Sequence, residues 1–186
     1  MTTDKNPFVI PGLEPGTSFR PRTTPLEIRT NAEQSGPMSE IVLTAAPARP
    51  EVTSAVTRGA ARLLLALDWP PLLEVGLPNG RRADLMAVSR KGELIIVEVK
   101  SGPEDFRTDG KWPEYAPWCD RFYFAVAPEF PRHILPPEPG LIVADAFDGA
   151  VVREAAATPL APARRRALIL GFGRLAAVRA AGLPQT

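Results

Sequence analysis

The fold of this chain is decided by residues 81–100, which read RRADLMAVSRKGELIIVEVK. Apolar residues alternate with polar ones over residues 81–88, and residues 93–100 form an almost continuous apolar run; both patterns are typical of β-strands. Arg90-Lys91-Gly92 lies between them, and a glycine there suits a tight turn. We therefore predict that the two strands form an antiparallel hairpin centred on the turn.

Asp84, Glu98 and Lys100 are ionisable residues that lie among the apolar residues of this hairpin. Asp84 and Glu98 are equidistant from Lys91, so pairing about that residue places the two acids opposite each other, about 5 Å apart. Glu98 and Lys100 share one face of their strand, while Val97 and Val99 point into the core. Two facing carboxylates repel each other unless a cation lies between them, and hard oxygen ligands suit Mg²⁺ or Mn²⁺.

Lys100 would face the water bound to such an ion. It would orient that water, lower its pKa, or stabilise charge that develops on a phosphate. The simpler interpretation is that charged residues at strand ends face solvent, because a Glu-x-Lys pair by itself is common in sheet proteins. The matching register of Asp84 favours a site over this interpretation.

The rest of the sequence extends the hairpin into a larger domain. In chain order it predicts a helix over 52–67, a strand over 72–77, the hairpin, a helical stretch over 103–119 broken by prolines, strands over 121–127 and 141–146, an edge strand over 150–153, and a helix over 162–181. Ser101 and Glu104 have the spacing of a capping box. The order α-β-β-β-α-β-β-α predicts an α/β fold, a mixed sheet flanked by helices.

Asp84 together with Glu98-Val99-Lys100 resembles the PD-(D/E)xK nuclease motif, in a matching order of elements. Longer blocks are similar to the MmcB family of bacterial DNA repair proteins. These blocks are NGRRAD at 79–84, IVEVKS at 96–101, DFRTDGKWPEY at 105–115 and CDRFYFAVAP at 119–128, with further similarity over 140–145 and 164–175. The resemblance covers about residues 57–177.

The resemblance implies a restriction-endonuclease-like fold and a role in DNA repair. It also implies that Asp84 and Glu98 bind Mg²⁺ or Mn²⁺, while Lys100 assists hydrolysis of a DNA phosphodiester. Many superfamily members place another acid on the first helix, but residues 53–67 contain none. Glu74, on the first strand and facing away from the core, is a candidate additional metal ligand. Two alternatives stay open: a noncatalytic DNA-binding or recruitment module, and an RNA-processing nuclease.

Several basic residues are candidates for contact with DNA. Arg107, Lys111 and Tyr115 recur every four residues and predict one helix face, with Tyr115 stacking on a base; the alternative is a solvated basic face capped by an aromatic. Arg82 precedes Asp84 and faces either DNA or solvent. From Ala155 onward the chain has arginines and no acids, so Arg164, Arg165 and Arg166 predict either a phosphate-binding edge or a solubilising helix end.

Composition sets the limits of these interpretations. The 186 residues have a net charge of +1, which excludes a chain-wide basic field but not local patches. The single cysteine, Cys119, excludes an internal disulfide framework and a cysteine-cluster zinc site. Neither a membrane-length apolar run nor a signal peptide is visible. We expect a protein of the bacterial cytoplasm, associated with the nucleoid when bound to DNA.

Prolines divide the chain into two parts. Eight of the 22 prolines lie in the first fifty residues, where they block regular structure. The sequence predicts a flexible arm over residues 1–50 and a nuclease-like domain over residues 51–186. The arm is interpreted as a docking segment for other DNA repair proteins, as an inert tail, or as an over-extended start with Met38 as the true initiator.

Overall fold

A computed structural model of the chain describes residues 48–182, and all structural statements refer to that range. The predicted arm over residues 1–50 therefore lies almost wholly outside the described residues. The described α-helices and strands are α1 (Arg49–Ala66), β1 (Pro71–Gly76), β2 (Arg82–Val88), β3 (Leu94–Lys100), α2 (Pro103–Thr108), β4 (Arg121–Val126), β5 (Gly140–Ala144), β6 (Gly149–Arg153) and α3 (Pro162–Ala180), with 3-10 helices at Trp112–Trp118 and Arg132–Ile134. Across residues 48–182, no helix combines the length and apolar character needed to cross a membrane.

The six strands form one mixed sheet whose spatial order follows the chain from β1 to β6. Strands β1, β2 and β3 are antiparallel, β3, β4 and β5 are parallel, and β6 returns antiparallel to β5. The parallel step from β3 to β4 requires a crossover, which α2 and the 3-10 helix Trp112–Trp118 supply. This topology confirms the predicted mixed sheet flanked by helices, and the predicted edge strand is a complete sixth strand.

The register predicted for the central hairpin is confirmed. Leu85 pairs with Val97 and Val88 pairs with Leu94, so the two strands are centred on Lys91. The turn closes through a 2.9 Å hydrogen bond from the backbone N–H of Gly92 to the carbonyl of Ser89. Gly92 has a φ of 75°, a conformation that other residues rarely adopt. The turn residue thus fixes which side chains of the two strands face each other.

Both faces of the sheet are covered. Helix α1 packs Val56, Ala60 and Leu64 over one face, and α2, the 3-10 helix and α3 cover the other. Every residue of β3 is consequently buried. The expectation that only the valines at the end of β3 point into the core is therefore incomplete, because the opposite face is also shielded from solvent.

The local boundaries differ from the sequence prediction in two places. Helix α1 begins at Arg49, because Pro50 in its first turn loses no helical hydrogen bond there. The predicted capping box of Ser101 and Glu104 does not form, because Asp105, one residue later, takes the place of Glu104. Gly102 is the N-cap of α2, and Asp105 Oδ2 accepts hydrogen bonds from the Ser101 backbone N–H (3.0 Å) and from its hydroxyl (3.1 Å). The break of the helical stretch into two pieces is confirmed.

Candidate active site

The candidate active site lies where β2 begins and β3 ends, on the face of the sheet opposite α1. Asp84 is two residues from Met86, and Glu98 is two residues from Ile96; both of these apolar residues belong to the core on that face. Extending the pairing of Leu85 with Val97 by one residue places Asp84 level with Glu98. The structure therefore brings together the two acids that the sequence predicts as partners.

Asp84 is anchored to the neighbouring strand by its side chain. Its Oδ2 accepts a 2.8 Å hydrogen bond from the backbone N–H of Val99, which lies between Glu98 and Lys100. Burial raises the pKa of Asp84, although this hydrogen bond and the charge of Lys100 act to lower it. The carboxylate is thus held at a fixed place beside β3.

Glu98 is buried, with 7% of its surface exposed, and its carboxylate is incompletely paired. Oε1 lies 3.8 Å from Lys100 Nζ, whereas the buried Oε2 has no hydrogen-bond partner. Burial, followed by the negative charge of Asp84, raises the pKa of Glu98 to about 8 against the opposing charge of Lys100. The Tyr115 hydroxyl lies close enough to lower this pKa, although its hydrogen bond goes to the carbonyl of Arg82 (3.1 Å).

Lys100 is 3% exposed and is held by an acid that the sequence analysis missed. Its Nζ lies 2.5 Å from Oδ2 of Asp109, just beyond the end of α2. Partial burial raises the pKa of Asp109, but the hydrogen bond and charge of Lys100 outweigh it, so the net shift is downward. A buried ammonium group requires an anion nearby, but no local pattern indicates that Lys100 is buried, so the sequence does not mark Asp109 as its partner.

Glu74 lies next to Asp84 but engages a different partner. The pairs Leu73–Leu85 and Val75–Ala83 bracket Glu74 and Asp84, which therefore occupy opposite positions. The carboxylate of Glu74 lies 2.5 Å from Arg82 Nε. Within the described part of the chain, no three histidine, cysteine, aspartate or glutamate side chains form a group that could hold a metal, so Glu74 does not complete one here.

The two remaining carboxylates nevertheless fit a hard divalent ion. Asp84 and Glu98 supply oxygen ligands, and the unpartnered Oε2 of Glu98 is a buried acceptor without a donor. Mg²⁺ commonly binds one or two carboxylates and keeps several waters, so two protein ligands suffice in chemical terms.

Comparison with known protein families identifies relatives of this chain. The model of the family described as DNA repair protein MmcB-like matches residues 43–186. The chain belongs to the MmcB-like family. This membership gives the MmcB-like chain a role in DNA repair.

A solved structure of the SPO1766 protein of unknown function from Silicibacter pomeroyi is similar to the MmcB-like chain at 44% identity. It aligns with a TM-score of 0.67 over 69% of this chain and 88% of that one. No curated protein matches the MmcB-like chain.

The predicted helix face of Arg107, Lys111 and Tyr115 does not form. Arg107 lies in α2, Lys111 lies in the following turn, and Tyr115 belongs to the 3-10 helix. Arg107 and Lys111 are exposed, so both remain candidates for DNA contact. Tyr115 is 5% exposed and stacks on Phe122 with a centroid distance of 5.6 Å. The MmcB-like chain therefore uses Tyr115 in the core behind Glu98, where it is not placed to stack on a base.

The basic run at the start of α3 is largely engaged within the protein. Arg164 lies over the ring of Trp118, 5.1 Å from its centroid, and donates to a backbone carbonyl. Arg165 forms an ion pair with Asp120, which is 3% exposed. Arg166 is exposed. Of the three arginines, Arg166 is the one that these contacts leave for a phosphate.

Asp120 is a second acid whose role the sequence analysis missed. Its carboxylate accepts 2.8 Å hydrogen bonds from the backbone N–H groups of Leu94 and Leu160 as well as the ion pair from Arg165. It therefore ties the start of β3 to the segment that leads into α3. No local pattern marks this role, because the partners lie 26 to 45 residues away along the chain.

Proposed function

We propose that this MmcB-like protein hydrolyses DNA phosphodiester bonds with Mg²⁺ or Mn²⁺ held by Asp84 and Glu98. The observation that supports this most strongly is the unpartnered, buried Oε2 of Glu98 beside a second carboxylate. A protein that merely needed a stable core gains nothing from two acids there, because burying incompletely paired carboxylates costs free energy.

Each side chain of the site would have a separate role in the reaction. Bound metal would supply Lewis-acid chemistry and a more acidic water. Asp84 is held in place by the Val99 N–H, so its free oxygen has a defined direction. Glu98, with its pKa of about 8, is largely protonated at neutral pH and would lose its proton when a dication binds. Lys100 would stabilise the charge that develops on the phosphate.

DNA would approach over the segment that follows β3. Arg107 and Lys111 are exposed there, and Arg82 is exposed at the start of β2. Basic side chains bind phosphates mainly through charge, with little dependence on base sequence. Arg82 would exchange its ion pair with Glu74 for a phosphate, and Arg166 would extend the contact along α3.

The test is cleavage of single-stranded, duplex and branched DNA, and of matched RNA, by purified protein with Mg²⁺ or Mn²⁺. We expect metal-dependent DNA cleavage by the wild type and a loss of about 100-fold or more in the Asp84→Asn, Glu98→Gln and Lys100→Ala variants. Glu104→Gln is the control, because Glu104 is exposed and pairs with Arg49. Wild-type protein that cleaves none of these substrates refutes the proposal, and preferential RNA cleavage favours the RNA-processing alternative.

A noncatalytic DNA-binding or recruitment module is the second candidate. It is favoured because, between residues 48 and 182, no three histidine, cysteine, aspartate or glutamate side chains are grouped so that they could hold a metal. Lys100→Ala separates the two functions in a repair assay. Retained repair with intact DNA binding supports the recruitment module, and lost repair with intact DNA binding supports hydrolysis.

A further inference from the structure

We propose that Asp109 is a positioning residue that holds the Lys100 ammonium beside Glu98 and prevents it from closing onto that carboxylate. The catalytic consequence rests on the proposed function, whereas the contact itself can be tested without cleavage. Asp109 lies outside the Asp84, Glu98 and Lys100 constellation.

The distances from the Lys100 ammonium to Asp109 and Glu98 support this inference. The ammonium faces two acids, and it lies 2.5 Å from Asp109 Oδ2 but 3.8 Å from Glu98 Oε1. The first distance is that of a strong charge-assisted hydrogen bond, whereas the second exceeds hydrogen-bond length. Lys100 therefore donates its hydrogen bond to Asp109, and neither oxygen of Glu98 accepts one from it.

Removing Asp109 would change the hydrogen-bond partner of Lys100. A lysine that is 3% exposed has little access to water, so the remaining nearby acid, Glu98, would become its partner. A closed pair would occupy the carboxylate that the proposed metal requires. It would also draw the ammonium away from the place where a phosphate would meet it.

Asp109 is itself fixed to the sheet. Its backbone N–H donates to the carbonyl of Phe106 (3.2 Å), and its Oδ1 accepts from the backbone N–H of Lys111 (3.3 Å). The Phe106 ring packs edge-on against Phe124 at 5.6 Å, and Phe124 pairs with Glu98 across β3 and β4. This chain of contacts places Asp109 at a set position relative to Glu98, as a positioning role requires.

The neighbouring acid Asp105, four residues earlier, does not share this role. Its Oδ2 accepts hydrogen bonds from both the backbone N–H and the hydroxyl of Ser101. Asp105→Asn is therefore a matched control: the same chemical change in the same segment, at a carboxylate that does not bind Lys100.

The test compares wild type, Asp109→Ala, Asp109→Glu and Asp105→Asn in full-length protein. The first readout is the distance between Lys100 Nζ and Glu98 Oε1 in crystal structures of the four proteins. We expect it to shorten from 3.8 Å to hydrogen-bond length in Asp109→Ala and to stay near 3.8 Å in Asp109→Glu and Asp105→Asn.

The second readout is DNA cleavage. We expect kcat to fall by about 10- to 100-fold in Asp109→Ala with little change in KM, because Asp109 does not touch DNA, and to recover in part in Asp109→Glu. An unchanged distance between Lys100 and Glu98 in Asp109→Ala overturns the inference, as does an unchanged kcat in an active enzyme. If the wild type cleaves no DNA, the proposed hydrolysis fails, and the distance still decides whether Asp109 keeps Lys100 away from Glu98.

Discussion

Replacement of Glu98 by glutamine should make the metal-free protein more stable at alkaline pH. Folding moves the Glu98 carboxyl from water into a buried place beside Asp84, and its pKa rises from 4.5 to about 8. Between these pH values the unfolded chain has released the proton while the folded protein still binds it. Stability therefore falls as pH rises through this window.

The size of the effect follows from the pKa shift. One proton bound in the folded state alone gives a slope of up to about 1.4 kcal/mol per pH unit, so the complete window costs up to about 5 kcal/mol. Below about pH 4.5 both states are protonated and Glu98 contributes no pH dependence. Glutamine cannot ionise, so the Glu98→Gln variant lacks this slope, while Asp84 contributes its own pH dependence to both proteins.

The assay is urea unfolding of metal-free wild type and Glu98→Gln from about pH 5 to about pH 8.5. The variant should gain a few kcal/mol over the wild type across this range, and the exposed control Glu104→Gln should follow the wild type. Added Mn²⁺ should stabilise the wild type at the alkaline end more than the variant, because a ligand stabilises the state that binds it. Parallel curves of unfolding free energy against pH for wild type and Glu98→Gln would refute the claim that ionising Glu98 in the folded protein costs free energy.

Three further predictions concern the rest of the domain. Asp120→Ala should lower the free energy of unfolding, measured in urea, by about 3–5 kcal/mol, because it leaves two buried backbone N–H groups and the Arg165 guanidinium without their partner. A loss below about 1 kcal/mol would contradict this. Gly59→Ala should destabilise by about 1–3 kcal/mol in thermal unfolding, since its Cβ would lie 2.1 Å from the carbonyl oxygen of Asp145; an unchanged Tm would refute the close approach. Lys111→Ala should weaken DNA binding regardless of sequence and reduce the salt slope by about one, which a fluorescence anisotropy titration at several salt concentrations would measure. Lys91→Ala, in the turn between β2 and β3 at the other end of these strands, should leave that slope unchanged.

The hairpin shows how far the sequence could predict the site. The register follows from a period of two on each strand and from Gly92 in the turn, and both are local properties. The neighbouring positions of Asp84 and Glu98 follow from that register by geometry alone. The broken helix after β3 was likewise predictable, because proline acts on its own backbone and on the residue before it.

The contacts of Lys100 and Tyr115 were not predictable in this way. A four-residue repeat indicated a shared helix face for Tyr115, but the helix ends at Thr108 and the 3-10 helix turns the ring into the core. The sequence predicts that Lys100 faces a metal-bound water, but it does not predict that Lys100 is buried, which follows because the crossover segment covers that face. Each outcome depends on packing between segments that are far apart in the chain.

Residues close in the chain are enough to predict the order of the elements, the pairing of the central strands and the two acids that face each other. The burial of Glu98 with an unpartnered oxygen, and the contact of Asp109 with Lys100, depend on how distant segments pack. Desolvation explains this difference. The cost of ionising Glu98 and the choice of partner by Lys100 are both set by what covers the sheet, and a sheet face is covered by segments whose distance in sequence carries no information about contact.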